Sequence, residues 1–331
     1  MAKIDSTPKS DTPKEKYKVK NWAAYNEGLK KRGSLTLWVD EEVVKSWKYV
    51  GEAQRGGQFE YSDCCIQTLL LLKVAFKLAF RQLEGFAGSV FKLMGIALKM
   101  PSYSQICRRQ KGLKIDLGIS ARLKKGENIH MVIDSSGLKI YGEGEWKVRK
   151  FGYSKRRTWR KIHLGVDEKS GEIVSQILTV NDVDDASMLT PLLVDAFDAG
   201  LNIDKVGCDG AYDTFEIWDL LHGLEIDPII PPRENAVYQL GPDKEVTDHP
   251  RNKVLERIDD GGMEANRKGW KQESGYHRRS ISENVFYRWK TIHGDKMYAR
   301  KFENQETEAA VRSAVLNRFI QIAKPVSVKA A

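Results

Sequence analysis

Three acidic residues stand where a carboxylate could take part in chemistry. Asp134 ends the apolar run 129–134, Asp209 follows the apolar run 203–208, and Glu283 lies in a polar and aromatic stretch. Carboxylate oxygens suit Mg²⁺ or Mn²⁺, and three that converge are tolerable only when divalent cations neutralise them. Two such ions, roughly 3.5–4 Å apart, can activate an attacking oxygen and stabilise a leaving one during phosphoryl displacement. This chemistry requires a fold that brings the three carboxylates together.

The hydrophobic pattern from residue 129 onward predicts an alternation of strands and helices. In order, we expect strands at 129–134, 160–167 and 172–180, a helix from about 182 to 199, a strand at 203–208, a helix at about 214–222 and a strand at 226–230. Gly200 closes the first helix, and Asp213 is interpreted as the cap of the second. This is the order of a ribonuclease-H-like α/β domain, a three-strand meander extended by parallel strands through helical crossovers.

In such a sheet the first and fourth strands are neighbours. Asp134 ends the first strand and Asp209 follows the fourth, so the topology predicts that both carboxylates emerge at one place on the sheet. Strand-end aspartates are common, however, and two unrelated surface residues would give the same pattern. The pair alone therefore only suggests a site.

A helix is predicted to supply the third carboxylate. It follows the polar stretch 233–274, which we interpret as an insertion or loop rather than core. At about 100° per residue, Tyr276, Arg279, Glu283 and Lys290 point within an arc of roughly 60°. A solvated polar stripe would have the same spacing, but the metal chemistry favours a site. Arg279 and Lys290 would then hold phosphates, and Tyr276 would donate a hydrogen bond or stack.

A basic and aromatic segment lies between the first two predicted strands. Its eight cationic residues alternate with Phe151, Tyr153 and Trp159, a pattern suited to phosphate neutralisation and base stacking. The alternative is a solvated charged hairpin, but this segment should adjoin Asp134. The predicted DNA-contacting residues here are Lys147, Arg149, Lys150, Lys155, Arg156, Arg157, Arg160 and Lys161.

The first third of the chain is predicted to be a flexible basic arm, residues 1–20, followed by a mainly helical DNA-binding region, residues 21–125. Periodicity over 62–98 indicates two helices hinged near 85–88, with Lys73, Lys77 and Arg81 in one cationic stripe. Ser102 or Ser104 would cap a short helix that carries two further candidate DNA contacts, Arg108 and Arg109. A helix-turn-helix reader and a merely solvated basic helix end both fit this pattern, and the arm equally fits a terminus without a role.

The overall composition favours a globular, DNA-associated protein. Of 331 residues 41% are apolar, and Lys and Arg outnumber Asp and Glu by 54 to 45, which gives a net charge of +9 and a pI near 9.1. A polyanionic partner is expected. The four cysteines show no Cys-x-x-Cys spacing, so neither a zinc ribbon nor a disulfide framework is indicated. Without a signal-like or membrane-spanning stretch, we expect a cytoplasmic, nucleoid-associated protein.

The motifs around these residues resemble those of bacterial insertion-sequence transposases of the DDE class, in particular the insertion-sequence-five family. The family signature around the glutamate, Y-(2)-R-(3)-E-(6)-K, matches Tyr276, Arg279, Glu283 and Lys290 at all three spacings. Other similar segments are 21–29, 32–38, 134–139, 142–146, 159–165, 209–213 and 230–233. The resemblance spans residues 21 to about 320.

The resemblance implies catalysis by Asp134, Asp209 and Glu283, with two Mg²⁺ or Mn²⁺ ions as cofactor. It implies double-stranded DNA as partner, namely transposon-end inverted repeats and target DNA, and at least a dimer when two ends are synapsed. Water would free a 3′-hydroxyl at the element end, and that hydroxyl would attack the target without a covalent protein–DNA intermediate. The catalytic domain would span 126–300, with an insertion at about 233–274, and a C-terminal helix and tail would span 301–331.

Two other interpretations stay open at this point. A metal-dependent nuclease on the same scaffold would cleave DNA without joining it, and an inactive transposase copy could act as a repressor at the inverted repeats. A tyrosine or serine recombinase is disfavoured because metal-bound carboxylates need no covalent nucleophile.

Overall fold

The computed structural model describes residues 17–52, 56, 58–140, 159–259 and 263–329. Two sequence predictions fall partly outside these ranges. The basic arm lies outside them up to residue 16, and the basic segment lies outside them over 141–158. The predicted DNA contacts outside the described residues are Lys147, Arg149, Lys150, Lys155, Arg156 and Arg157.

The region before the sheet is mainly helical, as its periodicity predicts. After a short strand, β1 (Tyr17–Val19), come α1 (Trp22–Lys31), α2 (Glu41–Lys45), α3 (Asp63–Ala75), α4 (Phe80–Leu93), α5 (Tyr103–Arg109) and α6 (Ala121–Lys124). Ser102 caps α5, and Gln105 completes a capping box with it.

The break between α3 and α4 lies earlier than predicted. Residues 76–79 separate the two helices, and Lys77 has a positive φ of 55°. The N–H of Leu78 donates to the carbonyl of Lys73 at 2.9 Å. This bond and the left-handed conformation of Lys77 form a C-terminal cap of α3. Gly85, near the predicted hinge, lies inside α4. The predicted cationic stripe on a single helix is therefore wrong, because Lys73 lies in the last turn of α3 and Arg81 in the first turn of α4.

A mixed sheet follows, with the predicted topology. Its strands are β2 (Asn128–Ile140), β3 (Trp159–Asp167), β4 (Ile173–Val180), β5 (Asn202–Gly207) and β6 (Asp227–Ile229). The order across the sheet is β4-β3-β2-β5-β6, with β2, β3 and β4 antiparallel and β2, β5 and β6 parallel. This ribonuclease-H-like arrangement confirms that the first and fourth strands are neighbours. A sixth strand that the sequence analysis missed, β7 (Lys296–Met297), pairs with the end of β2.

Strand β2 runs past Asp134 instead of ending there. Its antiparallel partner β3 pairs with it from Met131 as far as Lys139, and this pairing keeps the chain extended. The parallel partner β5 pairs only as far as Val132. Asp134 thus lies within β2 but just beyond the point where β5 leaves it, which is the edge that the topology predicts.

The crossover helices are α7 (Leu189–Asp198) and α8 (Phe215–Gly223). Helix α7 begins later than predicted, after a 3-10 turn at Ala186–Met188, and ends as predicted at Gly200, whose φ is 77°. The interpretation of Asp213 as the cap of α8 is wrong. Thr214 is the N-cap, and its hydroxyl accepts from the N–H of Ile217 at 3.4 Å. Asp213 has another role, described below.

The stretch 233–274 is more ordered than its polar composition suggested. It contains α9 (Pro250–Asp259) and α10 (Met263–Glu273). Leu255 and Ile258 of α9 and Trp270 of α10 are buried. A 3-10 turn at Tyr276–Arg279 and helix α11 (Ser280–His293) then lead back to the sheet.

The last long helix, α12 (Phe302–Ile322), joins the two halves of the chain. Its residues Leu316 and Ile320 belong to the core around the sheet, whereas Val315 and Phe319 belong to the core of the helical region. Strand β8 (Ser327–Lys329) then pairs with β1. The predicted C-terminal helix therefore packs against both the sheet and the helical region. In the described ranges, neither α12 nor another helix is long and apolar enough to cross a membrane.

Candidate active site

The fold brings Asp134 and Asp209 to the same edge of the sheet. Asp209 comes two residues after β5 ends and caps a 3-10 turn at Gly210–Tyr212. Its Oδ1 accepts from the N–H of Ala211 at 2.9 Å. On the neighbouring strand, Asp134 Oδ1 accepts from the N–H of Ser135 at 2.8 Å, and Oδ2 accepts from Ser282 Oγ at 2.9 Å. Backbone and side-chain donors therefore fix the orientation of both carboxylates.

The electrostatics of Asp134 show that the two aspartates influence each other. Burial raises the pKa of Asp134, hydrogen bonds from Ser282 and Ser135 and the charge of Arg279 lower it, and the charge of Asp209 raises it again. The net result is a pKa above the usual value for aspartate. The ionised form of Asp134 is thus only partly compensated by its protein neighbours.

Glu283 lies in the first turn of α11 and is linked to Asp134 through Arg279. The Arg279 guanidinium donates from Nη1 to Asp134 Oδ2 and from Nη2 to Glu283 Oε1, each at 3.1 Å. The side chain of Glu283 is 64% exposed, whereas that of Asp134 is 18% exposed. Glu283 is therefore the least constrained of the three predicted ligands.

The predicted helical face needs a correction. Tyr276 and Arg279 belong to the 3-10 turn before α11, so an angle of about 100° per residue does not apply to them. Arg279 nevertheless reaches Glu283, because it lies one turn before the glutamate. Lys290 lies farther along α11 and donates from Nζ to Ser136 Oγ on β2 at 2.7 Å. The four signature residues thus border the same part of the sheet, although they do not share one α-helical face.

The arrangement favours a cation among the three carboxylates. Burial alone would lower the pKa of Arg279, but the acidic groups of Tyr276, Asp134, Asp209 and Glu283 raise it above its usual value. Positive charge at this position is therefore stabilised from several sides. All three carboxylates offer oxygen ligands, which is the donor set that Mg²⁺ and Mn²⁺ prefer. In donor chemistry, these residues suit a divalent metal ion.

The three carboxylates do not converge in their present positions. In the part of the chain that the structure describes, no group of three His, Cys, Asp or Glu side chains is close enough to hold a metal ion. Arg279 bridges Asp134 and Glu283 instead. Metal binding by all three would require Arg279 to leave this bridge and the exposed Glu283 side chain to turn toward the aspartates.

Two further signature residues have partners of their own. Tyr276 stacks at a tilt on Trp270 of α10, with ring centroids 6.2 Å apart, and the Arg279 guanidinium lies 5.8 Å from the Tyr276 ring centroid. Tyr276 therefore contacts Arg279 from the side of α10.

Burial lowers the pKa of Lys290, while the charge of Asp295 counteracts this shift.

Some predicted DNA-contacting arginines and lysines already make internal contacts. Arg160 donates to Gln305 Oε1 at 2.9 Å, and Lys161 donates to Asp185 Oδ1 at 3.0 Å. Arg109 donates to the carbonyl of Tyr61 at 2.9 Å. Their role as DNA contacts stays a prediction, and these partners give Arg160, Lys161 and Arg109 structural roles as well.

Arg108 differs from these residues because its side chain is exposed near the end of α5. Its predicted contact with DNA also stays a prediction.

Sequence reasoning missed a buried ion pair beside Asp209. Arg251 of α9 contacts Asp213 with both oxygens engaged, Nε to Oδ1 at 2.7 Å and Nη2 to Oδ2 at 3.0 Å. Trp218 Nε1 donates to Oδ1 at 3.0 Å, and the N–H of Arg233 donates to Oδ2 at 2.9 Å. Sequence spacing carries no signal for these contacts, because they join segments that only the folded chain brings together.

Sequence reasoning also missed Ser282, which is fully buried beside Asp134. Its hydrogen bond to the Asp134 carboxylate is one of those that fix the orientation of this group. The only sequence signal was its place directly before Glu283, and position alone does not reveal a hydrogen bond to a strand 148 residues away in the chain.

The fold and the three acidic residues define a class, the ribonuclease-H-like enzymes that use divalent metals for phosphoryl transfer. Two family models, both described as "Transposase DDE domain", match the chain over residues 30–143 and 125–318. The chain belongs to the DDE transposase family. It is therefore a metal-dependent polynucleotidyl transferase, and dependence on a divalent metal follows from its family.

Solved transposase structures are distantly similar. One is a piggyBac transposase synaptic complex with hairpin DNA, at 12% identity and a TM-score of 0.40, covering 88% of this chain and 74% of that one. Another is the Drosophila P element transposase strand transfer complex, at 12% identity and a TM-score of 0.30, covering 81% of each chain. A third is the Mos1 mariner paired-end complex with Mn, at 14% identity and a TM-score of 0.22, covering 83% and 88%.

Proposed function

We propose that this protein is a transposase of the insertion-sequence-five type. It binds the terminal inverted repeats of its element, cleaves DNA at the element ends and joins the freed 3′ ends to target DNA. Asp134, Asp209 and Glu283 are the proposed catalytic residues and metal ligands. The observation that carries this assignment is the Arg279 bridge between Asp134 and Glu283, beside the strand edge that also bears Asp209. It places a positive charge between Asp134 and Glu283, where the charge of Asp209 also acts on it.

Each carboxylate has a defined task in this proposal. Hydrogen bonds from Ser135 and Ser282 orient Asp134, and the N–H of Ala211 orients Asp209, so both present oxygens in fixed directions. Glu283, whose exposed side chain is held only by Arg279, would turn toward Asp134 and Asp209 to complete the group of metal ligands. Two Mg²⁺ or Mn²⁺ ions bound there would supply Lewis acidity to the attacking and leaving oxygens of the phosphodiester.

The cations of α11 and its preceding turn then bind DNA phosphates. With the carboxylates neutralised by bound metal, the Arg279 guanidinium would be free for a bidentate phosphate contact, and Lys290 would act as a point charge farther along α11. Tyr276 holds the 3-10 turn in place through its contact with Trp270, and its hydroxyl can donate a hydrogen bond to the same phosphate. These contacts would hold the scissile phosphate beside the three carboxylates.

The remaining DNA contacts are assigned from charge. The basic segment 147–161 would line the DNA next to Asp134, and residues 21–125 would recognise the inverted repeat, with Arg108 as an exposed contact and residues 1–20 as a basic arm. The domain limits 126–300, with an insertion at about 233–274, and 301–331 belong to the same proposal. Pairing of two element ends would bring at least two copies together, in a nucleoid-associated cytoplasmic protein.

The test is cleavage and joining of a short DNA carrying the element end, with Glu283→Gln as the variant. Removing one metal ligand takes away several kcal/mol of transition-state stabilisation, so cleavage in Mg²⁺ should fall by about 10³-fold. Glu273→Gln is a matched control, because Glu273 is also exposed and also paired with an arginine, Arg257. It should cleave as the parent does.

Three outcomes distinguish the candidate functions. Cleavage that is undiminished in Glu283→Gln rules out the three-carboxylate mechanism. A parent protein that cleaves without joining is a nuclease, and one that binds the inverted repeats without cleaving them in either Mg²⁺ or Mn²⁺ is a DNA-binding repressor. Only cleavage followed by joining of the 3′ end to a second duplex supports the proposed transposase.

A further inference from the structure

The turn that carries Asp209 is held from outside the sheet by the segment that follows β6. Arg233 donates from Nε to the carbonyl of Gly210 at 3.1 Å and from Nη2 to the carbonyl of Ala211 at 2.7 Å. These two carbonyls belong to the 3-10 turn that Asp209 caps. A planar guanidinium with two donors at fixed spacing is well suited to hold two successive carbonyls.

The far end of the same turn is held by Arg251. Its guanidinium grips both oxygens of Asp213, and its Nη1 donates to the carbonyl of Val237 at 2.7 Å. The side chains of Arg251 and Asp213 are 6% and 0% exposed. Arg233 also contributes its backbone N–H to Asp213. The two arginines therefore hold residues 210–213 at both ends, and we call these contacts the arginine clamp.

The clamp acts on Asp209 through Ala211 and through the peptide bond between Gly210 and Ala211. Ala211 accepts from Arg233 at its carbonyl and donates from its N–H to Asp209 Oδ1. Fixing Ala211 thus fixes the donor that orients the Asp209 carboxylate. Arg233 is braced in turn, because Arg267 of α10 donates to the carbonyls of Pro232 at 2.8 Å and Arg233 at 3.3 Å.

We infer that Arg233 and Arg251 are positioning residues that set the orientation of Asp209 for metal binding. The insertion at 233–274 would then be part of the catalytic apparatus, since it supplies the clamp. Partners that orient a metal ligand commonly change metal affinity by about 10–100-fold when they are removed. This inference rests on the proposed role of Asp209 as a metal ligand.

Arg233→Gln is the main test, because Arg233 is exposed and its loss removes two surface hydrogen bonds without opening the core. Arg257→Gln is the matched control, since Arg257 lies on α9, is exposed and pairs with Glu273 away from the turn. Hydrogen exchange of the amides at 210–213 is measured in the metal-free proteins. Mn²⁺ affinity is measured by titration with detection of the free ion.

In Arg233→Gln we expect faster exchange at 210–213 and Mn²⁺ binding weakened by about tenfold, with the unfolding midpoint close to that of the parent. Arg233→Lys, which cannot grip two carbonyls in one plane, should restore only part of the affinity. Arg257→Gln should match the parent in both measurements. Parent-like Mn²⁺ affinity in Arg233→Gln, with or without faster exchange, overturns the inference.

Asp209→Asn separates this result from the proposed function. If Asp209→Asn weakens Mn²⁺ binding strongly while Arg233→Gln leaves it unchanged, the metal site stands and the arginine clamp has no part in it. If neither Asp209→Asn nor Arg233→Gln changes Mn²⁺ binding, Asp209 is not a ligand, and both the proposed function and the positioning role fail. Arg251→Gln is used only for the exchange measurement, because its burial makes a folding defect the expected result.

Discussion

Asp134 and Asp213 are each paired with an arginine, yet their pKa values move in opposite directions. Burial tends to raise the pKa of Asp213, but hydrogen bonds from Arg251, Arg233 and Trp218 outweigh it, and the net shift is downward. Burial also raises the pKa of Asp134, and there its partners do not outweigh it. An arginine partner alone therefore does not decide how well a buried carboxylate is compensated.

The difference lies in the number and geometry of the donors. Asp213 receives four hydrogen bonds, two of them from the paired nitrogens of one guanidinium. Asp134 receives three, only one of them from Arg279, and it faces the charge of Asp209. The charge of Asp213 is fully compensated by its protein neighbours, so this residue has a structural role. The charge of Asp134 is only partly compensated, and a metal ion would neutralise the remainder.

The largest effect is expected from breaking the complete pair. In Arg251→Gln the Asp213 carboxylate keeps its burial but loses its counter-charge, and such a loss costs about 3–5 kcal/mol in the free energy of unfolding. Chemical denaturation measures this change. Arg257→Gln, which removes an exposed pair, should change the free energy by less than about 1 kcal/mol. Equal losses in the two variants would mean that Asp213 is no more dependent on its arginine than a surface residue.

A smaller effect of a different kind is expected from the incomplete pair. If Asp134 and Glu283 bind metal as proposed, Arg279 competes with the metal for both carboxylates, so Arg279→Gln should bind Mn²⁺ more tightly in the absence of DNA. A tenfold gain corresponds to about 1.4 kcal/mol. DNA cleavage should nevertheless fall, because the proposed phosphate contact of Arg279 is lost.

The control for this competition is Lys290→Gln, which removes a cation that bonds the Ser136 hydroxyl rather than a carboxylate. Its Mn²⁺ affinity should stay near that of the parent. Weaker Mn²⁺ binding in Arg279→Gln would instead mean that Arg279 helps to organise the carboxylates for the metal.

The contrast between the two pairs also marks what the sequence could predict. Alternating apolar runs and helical periods are local signals, so the strand order, and with it the meeting of Asp134 with Asp209, followed from them. The Arg251–Asp213 pair joins positions 38 residues apart, and Ser282 reaches Asp134 across 148 residues. No periodicity encodes such contacts.

Local sequence patterns also did not predict where some strands and helices end. Strand β2 continues past Asp134 because β3 pairs with it, and the polar stretch 233–274 contains helices α9 and α10, in which Leu255 and Trp270 are buried. Tertiary contacts decided both cases. The signature spacing found Arg279 and Glu283, but only the structure shows that they bind each other.

The smallest expected effect is a difference in how the two pairs respond to pH. The folded-state pKa of Asp213 lies below its unfolded value, so its contribution to stability is present above the unfolded pKa and is lost as pH falls through the folded pKa. The advantage of the parent over Asp213→Asn should therefore shrink on acidification below about pH 4.

For Asp134 the sign is reversed. Its folded-state pKa is raised, so the folded protein holds the proton more tightly than the unfolded chain and loses stability as pH rises through that window. Without metal, Asp134→Asn should gain stability over the parent as pH rises from about 4 toward neutrality, with a slope of at most about 1.4 kcal/mol per pH unit. Denaturant midpoints at matched pH values measure both trends. If the stability difference from the parent changes with pH in the same direction in Asp134→Asn and Asp213→Asn, the two carboxylates are compensated alike. Asp134 would then carry no uncompensated charge that favours metal binding.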